Sequence, residues 1–192
     1  MNYHDITKED MKNGPGLRAV LWVAGCNHYC KGCQNPSTWD PNGGLHFDFE
    51  AEDELFSYLD KDYCSGLTLS GGDPLYPENR LAILNLLTNF RRRYGWTEDK
   101  TVWLYTGYTM EELIKQKEEN IDDPVRYILM HIDVLLDGEY VEEKRNINRY
   151  WVGSDNQRIW KYDENLGAFI QQKKQYVISL SEEQHEKEMG CC

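Results

Sequence analysis

The chain has 192 residues, of which 33 are acidic and 21 are lysine or arginine, and its formal net charge is −12. This length fits one domain with a sizeable core, and the acidic balance argues against binding to the nucleic-acid backbone, which requires a basic face. We find no run of about 18 apolar residues that could span a membrane and no N-terminal secretion signal. We therefore expect a cytoplasmic protein with a single domain over residues 1–180 and a polar, flexible tail over 181–192.

The first predicted strand, residues 17–24, is a buried apolar run that leads directly into a group of cysteines. Cys26, Cys30 and Cys33 have the spacing Cys-x3-Cys-x2-Cys, and no fourth cysteine lies nearby in the sequence. A structural zinc site or a closed iron–sulfur cluster normally has four protein ligands. Three thiolates leave one coordination position open, which is typical of metal sites that carry out chemistry. The alternative is a zinc site completed by His28 or by a distant residue.

Downstream of the cysteines, apolar strands alternate with helical segments, which predicts a parallel sheet built from βαβ units. The predicted strands are residues 66–70, 101–105, 132–136 and 176–180, and the predicted helices are 50–59, 77–94, 109–117 and 124–129. The turns that follow the predicted strands 66–70, 101–105 and 132–136 carry distinctive sequences. In chain order these are Gly71-Gly72-Asp73-Pro74, Thr106-Gly107-Tyr108 and Asp137-Gly138-Glu139-Tyr140. Because parallel strands of a barrel present their ligand-binding turns at one rim, we expect these turns to gather around the cysteines.

Several of these motifs resemble those of the radical S-adenosylmethionine (SAM) superfamily. The cysteine spacing matches its hallmark, and Gly71-Gly72-Asp73 resembles its Gly-Gly-Glu motif with aspartate in place of glutamate. Gly14-Pro15-Gly16-Leu17-Arg18 resembles a segment of the enzymes that install glycyl radicals on partner proteins. With the segment Gly153-Ser154-Asp155-Asn156-Gln157-Arg158, the chain is most similar to the family that activates anaerobic (class III) ribonucleotide reductases.

The resemblance implies an α/β fold in the form of an incomplete parallel β/α barrel, since a complete one needs about 250 residues. It implies a [4Fe-4S] cluster bound by Cys26, Cys30 and Cys33. SAM is then expected to contact Gly71, Gly72 and Asp73 through its methionyl end, and the backbone of Gly32, Cys33 and Gln34 through its adenine. No catalytic side chain is expected beyond the cluster and SAM.

The same resemblance implies the reaction and its partners. Reductive cleavage of SAM would create a radical that removes a hydrogen atom from one glycine of the reductase large subunit. A low-potential donor such as flavodoxin or ferredoxin would reduce the cluster. One alternative is activation of another glycyl-radical enzyme, such as pyruvate formate-lyase. A further alternative, of lower rank, is a non-catalytic iron–sulfur or zinc module.

Overall fold

The computed structural model describes residues 1–172, which form one mixed sheet of eight strands with helices packed against it. The strands lie in the order β3-β1-β2-β4-β5-β6-β7-β8. Their bounds are β1 Asn2–Asp10, β2 Leu17–Val23, β3 Leu45–His46, β4 Cys64–Gly71, β5 Thr101–Tyr105, β6 Val134–Asp137, β7 Arg158–Asp163 and β8 Ala168–Gln171. The helices are α1 Phe49–Leu59, α2 Arg80–Tyr94, α3 Met110–Glu119 and α4 Val125–Leu129.

The centre of the sheet is parallel, as the alternation of strands and helices predicts. β2, β4, β5 and β6 lie side by side in this order and pair in parallel with one another. The flanks differ from the prediction, because β1 and β3 on one side and β7 and β8 on the other pair antiparallel. The fold is therefore α/β with a parallel centre and antiparallel edges. The strand predicted at residues 176–180 and the tail at 181–192 lie outside the described residues.

The helix boundaries follow local capping chemistry. The side chain of Asp48 accepts a hydrogen bond from Ala51 N at the start of α1, and Thr109 and Glu112 form the predicted capping box at the start of α3. The predicted start of α2 at Pro77 is wrong. The helix begins at Arg80, because Asn79 N donates to Tyr76 O and Arg80 N donates to Pro77 O, which are turn bonds between residues three apart. The Asn79 side chain does not cap the helix and donates to the carbonyl oxygens of Ala24 and Asp73.

The two faces of the sheet have different characters. The helices cover one face, where Leu21, Leu69, Leu104 and Leu135 of the four parallel strands join the main hydrophobic core. The opposite face carries polar and aromatic side chains. The loop between β6 and β7 covers part of this face through a small cluster of Trp103, Val134, Leu136, Val152 and Ile159. Within residues 1–172, no helix has the length and apolar character needed to cross a membrane.

Candidate functional site

The loop that follows β2 carries the three cysteines and is fixed at both ends. We call residues 26–33 the cysteine loop. At its start, Gly25 N donates to Thr38 O at 2.8 Å and Cys26 N donates to Trp39 O at 3.1 Å. At its end, Cys33 N donates to Cys30 O at 3.1 Å, which closes a turn. The loop has no regular secondary structure between these points.

Backbone N–H groups are directed at the three cysteine sulfurs. The N–H groups of His28 and Tyr29 favour the thiolate form of Cys26, and that of Tyr140 favours the thiolate form of Cys30. Asn35 N lies 3.4 Å from Cys33 Sγ. Burial acts in the opposite direction and raises the pKa of Cys26 to about 11, whereas a bound metal favours the thiolate form of a cysteine. The N–H donors suit the negative charge that such thiolates carry when they bind iron.

All three cysteines line one small cavity at the carboxyl ends of the parallel strands. This cavity, which we call the cysteine cavity, has a volume of about 120 Å³. His28 of the cysteine loop and Trp39 form part of its other walls. The ends of β4, β5 and β6 with the turns that follow them, and the loop before β7, supply the rest, namely Gly71, Gly72, Asp73, Tyr105, Thr106, Gly107, Gly138, Glu139, Tyr140 and Gln157. The sequence-based expectation that four turns meet at one rim is confirmed.

The three cysteines offer thiolates as their donor atoms. An iron–sulfur cluster is held by cysteine thiolates, each bound to a different iron, and Cys26, Cys30 and Cys33 all line the cysteine cavity. These residues therefore fit a cluster. Among residues 1–172, no group of three His, Cys, Asp or Glu side chains is placed to hold a single metal ion.

A larger cavity adjoins the cysteine cavity on the open face of the sheet. We call it the aromatic cavity. It has a volume of about 470 Å³, which is within the usual range of about 300–1,000 Å³ for small-molecule sites. Trp22, Tyr105, Tyr140 and Trp151 contribute aromatic lining, and Cys33, Tyr105, Tyr140 and Gln157 border both cavities. The Tyr105 hydroxyl has no hydrogen-bond partner among the described residues.

Known proteins with similar sequences identify this arrangement. Residues 12–160 match the 4Fe-4S single cluster domain family. The chain is 46% identical over 166 residues to the anaerobic ribonucleoside-triphosphate reductase-activating protein of Enterobacteria phage T4, covering 86% of this chain and 97% of that protein. It is 41% identical to the protein of the same name from Vibrio cholerae over 84% of this chain and 99% of the relative. The Escherichia coli K12 protein of that name is 38% identical over 83% of this chain and 97% of the relative.

The chain belongs to this family of reductase-activating proteins. It also matches a 4Fe-4S single cluster domain over residues 12–160, which include the cysteine loop, so the match supports the iron–sulfur interpretation of this loop. The relatives are matched over nearly their whole length.

Within this activating-protein fold, Gly71 and Gly72 are required by close backbone packing. Gly71 has a φ of +105°, and a Cβ atom there would lie 2.7 Å from Val23 N. A Cβ atom on Gly72 would lie 2.5 Å from Gly25 O and 2.8 Å from Thr38 O. Both contacts involve the backbone that leads into the cysteine loop. A valine at Gly72 would therefore displace this loop as well as obstruct a ligand.

The Asp73 carboxylate is already engaged by the protein. It is buried, its Oδ1 accepts from Leu75 N at 2.7 Å, and its Oδ2 accepts from Thr106 Oγ1 at 2.9 Å and Gly107 N at 3.0 Å. Its Oδ2 also lies 2.8 Å from His28 Nε2. Four protein groups therefore contact this carboxylate, three of them at Oδ2 and one at Oδ1.

Gly32 and Gln34 lie beside the cavities rather than in the cysteine cavity. They line an exterior cleft of about 460 Å³ with Tyr140 and Glu142, and Gln34 also borders the aromatic cavity. Gly32 has a φ of +74°, and a Cβ atom there would lie 2.1 Å from Glu142 Oε2. Glycine at this position is explained by the close approach of the loop after β6.

The segment before β7 has a structural role in the activating-protein fold. Gln157 Oε1 accepts from Gly153 N at 2.9 Å, and its Nε2 donates to Gly138 O at 3.0 Å. Asn156 Nδ2 donates to Glu139 O at 2.8 Å. These side chains fix the Gly138-Glu139 turn next to the cysteine cavity. The sequence alone leaves the role of this segment open. It does not mark Gln157, Thr106 or Glu139 as site residues, although Thr106 and Glu139 lie in two of the predicted turns.

Arg158 gives a first testable prediction. It donates to both oxygens of the fully buried Asp137, at 3.0 and 2.5 Å, and to both oxygens of the exposed Glu111. Replacing Arg158 by methionine leaves the Asp137 carboxylate with the Met110 N–H as its remaining protein donor. We expect a loss of about 2 kcal/mol in urea unfolding, below the usual 3–5 kcal/mol for a broken buried pair because Arg158 is one-quarter exposed.

Glu111→Gln is the matched control for this prediction. Arg158 holds the pKa of Glu111 down at about 2, so this pair contributes above the ordinary carboxylate pKa and is lost as the pH falls towards 2. Glu111 is largely exposed, and solvent-exposed pairs contribute about 0–1 kcal/mol. Equal effects of Arg158→Met and Glu111→Gln at pH 7 would contradict a special role for the buried Asp137.

Proposed function

We propose that this protein cleaves SAM reductively at a [4Fe-4S] cluster and thereby generates a glycyl radical on an anaerobic ribonucleotide reductase. The observation that supports this most is the position of the three cysteines. They share one cavity, and that cavity adjoins a second of small-molecule size along Cys33, Tyr105, Tyr140 and Gln157. A cluster with one open iron beside a ligand cavity is the arrangement that this chemistry requires.

A fourth cysteine ligand is excluded among the described residues by the geometry of β4. Cys64 is the other cysteine in residues 1–172, and it is the first residue of β4, whereas Gly71 at the cysteine cavity is the last. Seven residue steps at about 3.3 Å place the two ends roughly 23 Å apart. The Cys64 thiol therefore cannot reach the cluster, which supports the proposal that one iron stays open for SAM.

The chain's own residues would bind and orient the two groups. We propose that Cys26, Cys30 and Cys33 bind three irons and that the backbone at Gly71 and Gly72 contacts the methionyl end of SAM. The backbone at Gly32, Cys33 and Gln34 borders the space proposed for the adenine. When bound, the cluster supplies an electron at a potential that can be as low as about −700 mV. The aromatic walls exclude water from the reacting atoms.

The reductase assignment is supported by the names of the relatives. The phage T4, Vibrio cholerae and Escherichia coli proteins are each named as activating proteins of anaerobic ribonucleoside-triphosphate reductase. We propose the large subunit of that reductase as the partner and flavodoxin or ferredoxin as the electron donor. The radical SAM partial barrel is proposed as the fold type, with the four parallel strands as its wall.

The test uses the full chain reconstituted anaerobically with iron and sulfide. We expect about four irons and four sulfides per chain, release of methionine and 5′-deoxyadenosine after reduction with SAM, and a glycyl-radical EPR signal on the reductase. Pyruvate formate-lyase serves as the alternative acceptor. A radical on that enzyme in place of the reductase would reassign the partner. A full cluster without SAM cleavage would indicate a non-catalytic iron–sulfur module.

A further inference from the structure

His28 lies in the middle of the cysteine loop, and its ring contacts three of the strand-end turns. Its Nε2 is 2.8 Å from Asp73 Oδ2 after β4, and its Nδ1 is 3.0 Å from Glu139 Oε1 after β6. Its ring packs edge-on against Tyr108 after β5, with centroids 4.7 Å apart. The His28 side chain is 9% exposed, so it is buried among these groups.

The surrounding turn is shaped to accommodate this ring. A Cβ atom on Gly107 would lie 2.5 Å from His28 Cδ2, so any larger residue at position 107 would displace the imidazole. The main acceptor, Asp73, is held independently by Leu75, Thr106 and Gly107. The His28–Asp73 bond therefore ties the loop to a carboxylate that the end of the sheet holds in place. The His28–Glu139 bond contributes less, because the Glu139 side chain is half-exposed.

The other side chains of the loop centre make contacts that are more exposed. Asn27 forms exposed contacts of 3.3 and 3.4 Å with the Tyr108 hydroxyl, and Lys31 forms a surface pair with Glu143. Tyr29 is 63% exposed, and its ring packs edge-on against Trp39 with centroids 5.3 Å apart. The backbone interactions described above hold the loop at Cys26 and Cys30. The His28 ring is thus the buried side chain that connects the segment between Cys26 and Cys30 to the rest of the protein.

We propose that His28 is a positioning residue that fixes the cysteine loop on the Gly71-Gly72-Asp73 turn. The cysteines and this turn both line the cysteine cavity. The His28–Asp73 bond therefore sets how far the cluster lies from a ligand held at that turn. This inference extends the proposed function, since the ligand in question is SAM. In this proposal the Asp73 side chain holds the cysteine loop in place through His28 and does not itself bind the ligand.

The test compares three replacements of His28 in the full, cluster-loaded chain. His28→Ala removes both bonds. His28→Gln places an amide N–H near the position of imidazole Nε2 and can restore the bond to Asp73, whereas the shorter His28→Asn cannot reach it. Asn27→Ala, in the same loop but with exposed contacts, is the control. Each variant is measured for iron and sulfide content, iron release to a chelator, the EPR spectrum of the reduced cluster, and kcat and KM for SAM.

We expect His28→Ala to lower kcat at least about tenfold, to raise KM for SAM, and to release iron several times faster than the wild type. His28→Gln should recover most of each property, His28→Asn should not, and Asn27→Ala should stay within about twofold of the wild type. If His28→Ala does not take up the cluster, the cluster content of the other two variants decides. A higher content in His28→Gln than in His28→Asn would support the inference. Equal behaviour of the Gln and Asn variants, or an unaffected Ala variant, would overturn it.

The proposed function can fail separately from this inference. If the wild type held a full cluster but did not cleave SAM, the proposed function would be wrong. Iron release and the SAM-free EPR spectrum would still report whether His28 positions the loop.

Discussion

Replacing any one of Cys26, Cys30 or Cys33 by alanine is expected to abolish SAM cleavage. Each sulfur faces the same cavity and receives a backbone N–H, so each is placed as a thiolate ligand. No neighbouring cysteine within residues 1–172 can substitute for a missing one, since Cys64 lies at the far end of β4. Two thiolates do not hold a four-iron cluster with one defined open iron. We expect methionine release to fall below detection and iron content to drop after desalting.

Cys64→Ala is the matched control for these variants. Cys64 is buried at 5% exposure, and its Sγ makes one weak contact of 3.6 Å with Gly66 O. Its loss should leave iron content and SAM cleavage near the wild-type values, because its role is to fill space. A cysteine-loop variant that kept a full cluster and full activity would remove that cysteine from the ligand set. Loss of the cluster in Cys64→Ala would show that the β4 geometry does not exclude it as a ligand.

The parallel centre of the sheet could be predicted from the sequence because most residues of its strands are buried. Apolar runs such as 101–105 stand out from the polar segments around them, and β5 has the predicted bounds. The antiparallel edges were missed. β1 contains His4, Asp5, Lys8 and Glu9 and is buried mainly at Tyr3, so its pattern is that of a polar segment. The edge strands exist because the central strands offer them backbone hydrogen bonds, which a sequence pattern does not show.

The cysteine spacing predicts a cluster ligand set whose three members the structure brings to one cavity, whereas the contacts of Asp73 could not be predicted. Its place in a Gly-Gly-Asp turn suggested a ligand contact. The structure shows that groups from three separate turns contact its carboxylate, one at Oδ1 and three at Oδ2. Thr106, Gly107 and His28 are distant from Asp73 in sequence, so their convergence depends on strand order and register. Long-range polar networks of this kind require the folded structure to be seen.

The second large effect is expected at Arg18, a charged side chain buried in the sheet at 0% exposure. Its guanidinium donates five hydrogen bonds, all to uncharged acceptors: Thr68 Oγ1, Ser65 O, Leu67 O, and both the hydroxyl and the carbonyl oxygen of Thr101. Burial lowers the pKa of Arg18 to about 10, so it remains charged at neutral pH. Gly14 of the Gly-Pro-Gly segment is needed here, since a Cβ atom on it would lie 2.7 Å from Arg18 Cδ.

Two opposing effects determine what happens when Arg18 is replaced by methionine. The change removes a desolvated charge, which by itself stabilises the fold. It also leaves three carbonyl and two hydroxyl groups without this donor, and each unsatisfied buried group costs about 1–3 kcal/mol. Because the partners are neutral and remain after the substitution, the second effect is larger. We expect a net loss of about 3–5 kcal/mol in the free energy of unfolding.

This loss should appear as a decrease in Tm of roughly 6–20 °C, given about 2–4 °C per kcal/mol for a chain of this size. Arg18→Lys should lose nearly as much, because one ammonium group cannot reach acceptors on both β4 and β5 in the way a guanidinium does. Arg92→Met is the control, since Arg92 is exposed and its one contact with Asn89 is 3.5 Å long; it should change stability by less than about 0.5 kcal/mol.

Because Thr68 Oγ1 also donates to Asn13 O, and Asn13 lines the aromatic cavity, the Arg18 variants should lose SAM affinity before they unfold. An Arg18→Met protein as stable as Arg92→Met would mean that the desolvation of the charge already cancels its five hydrogen bonds.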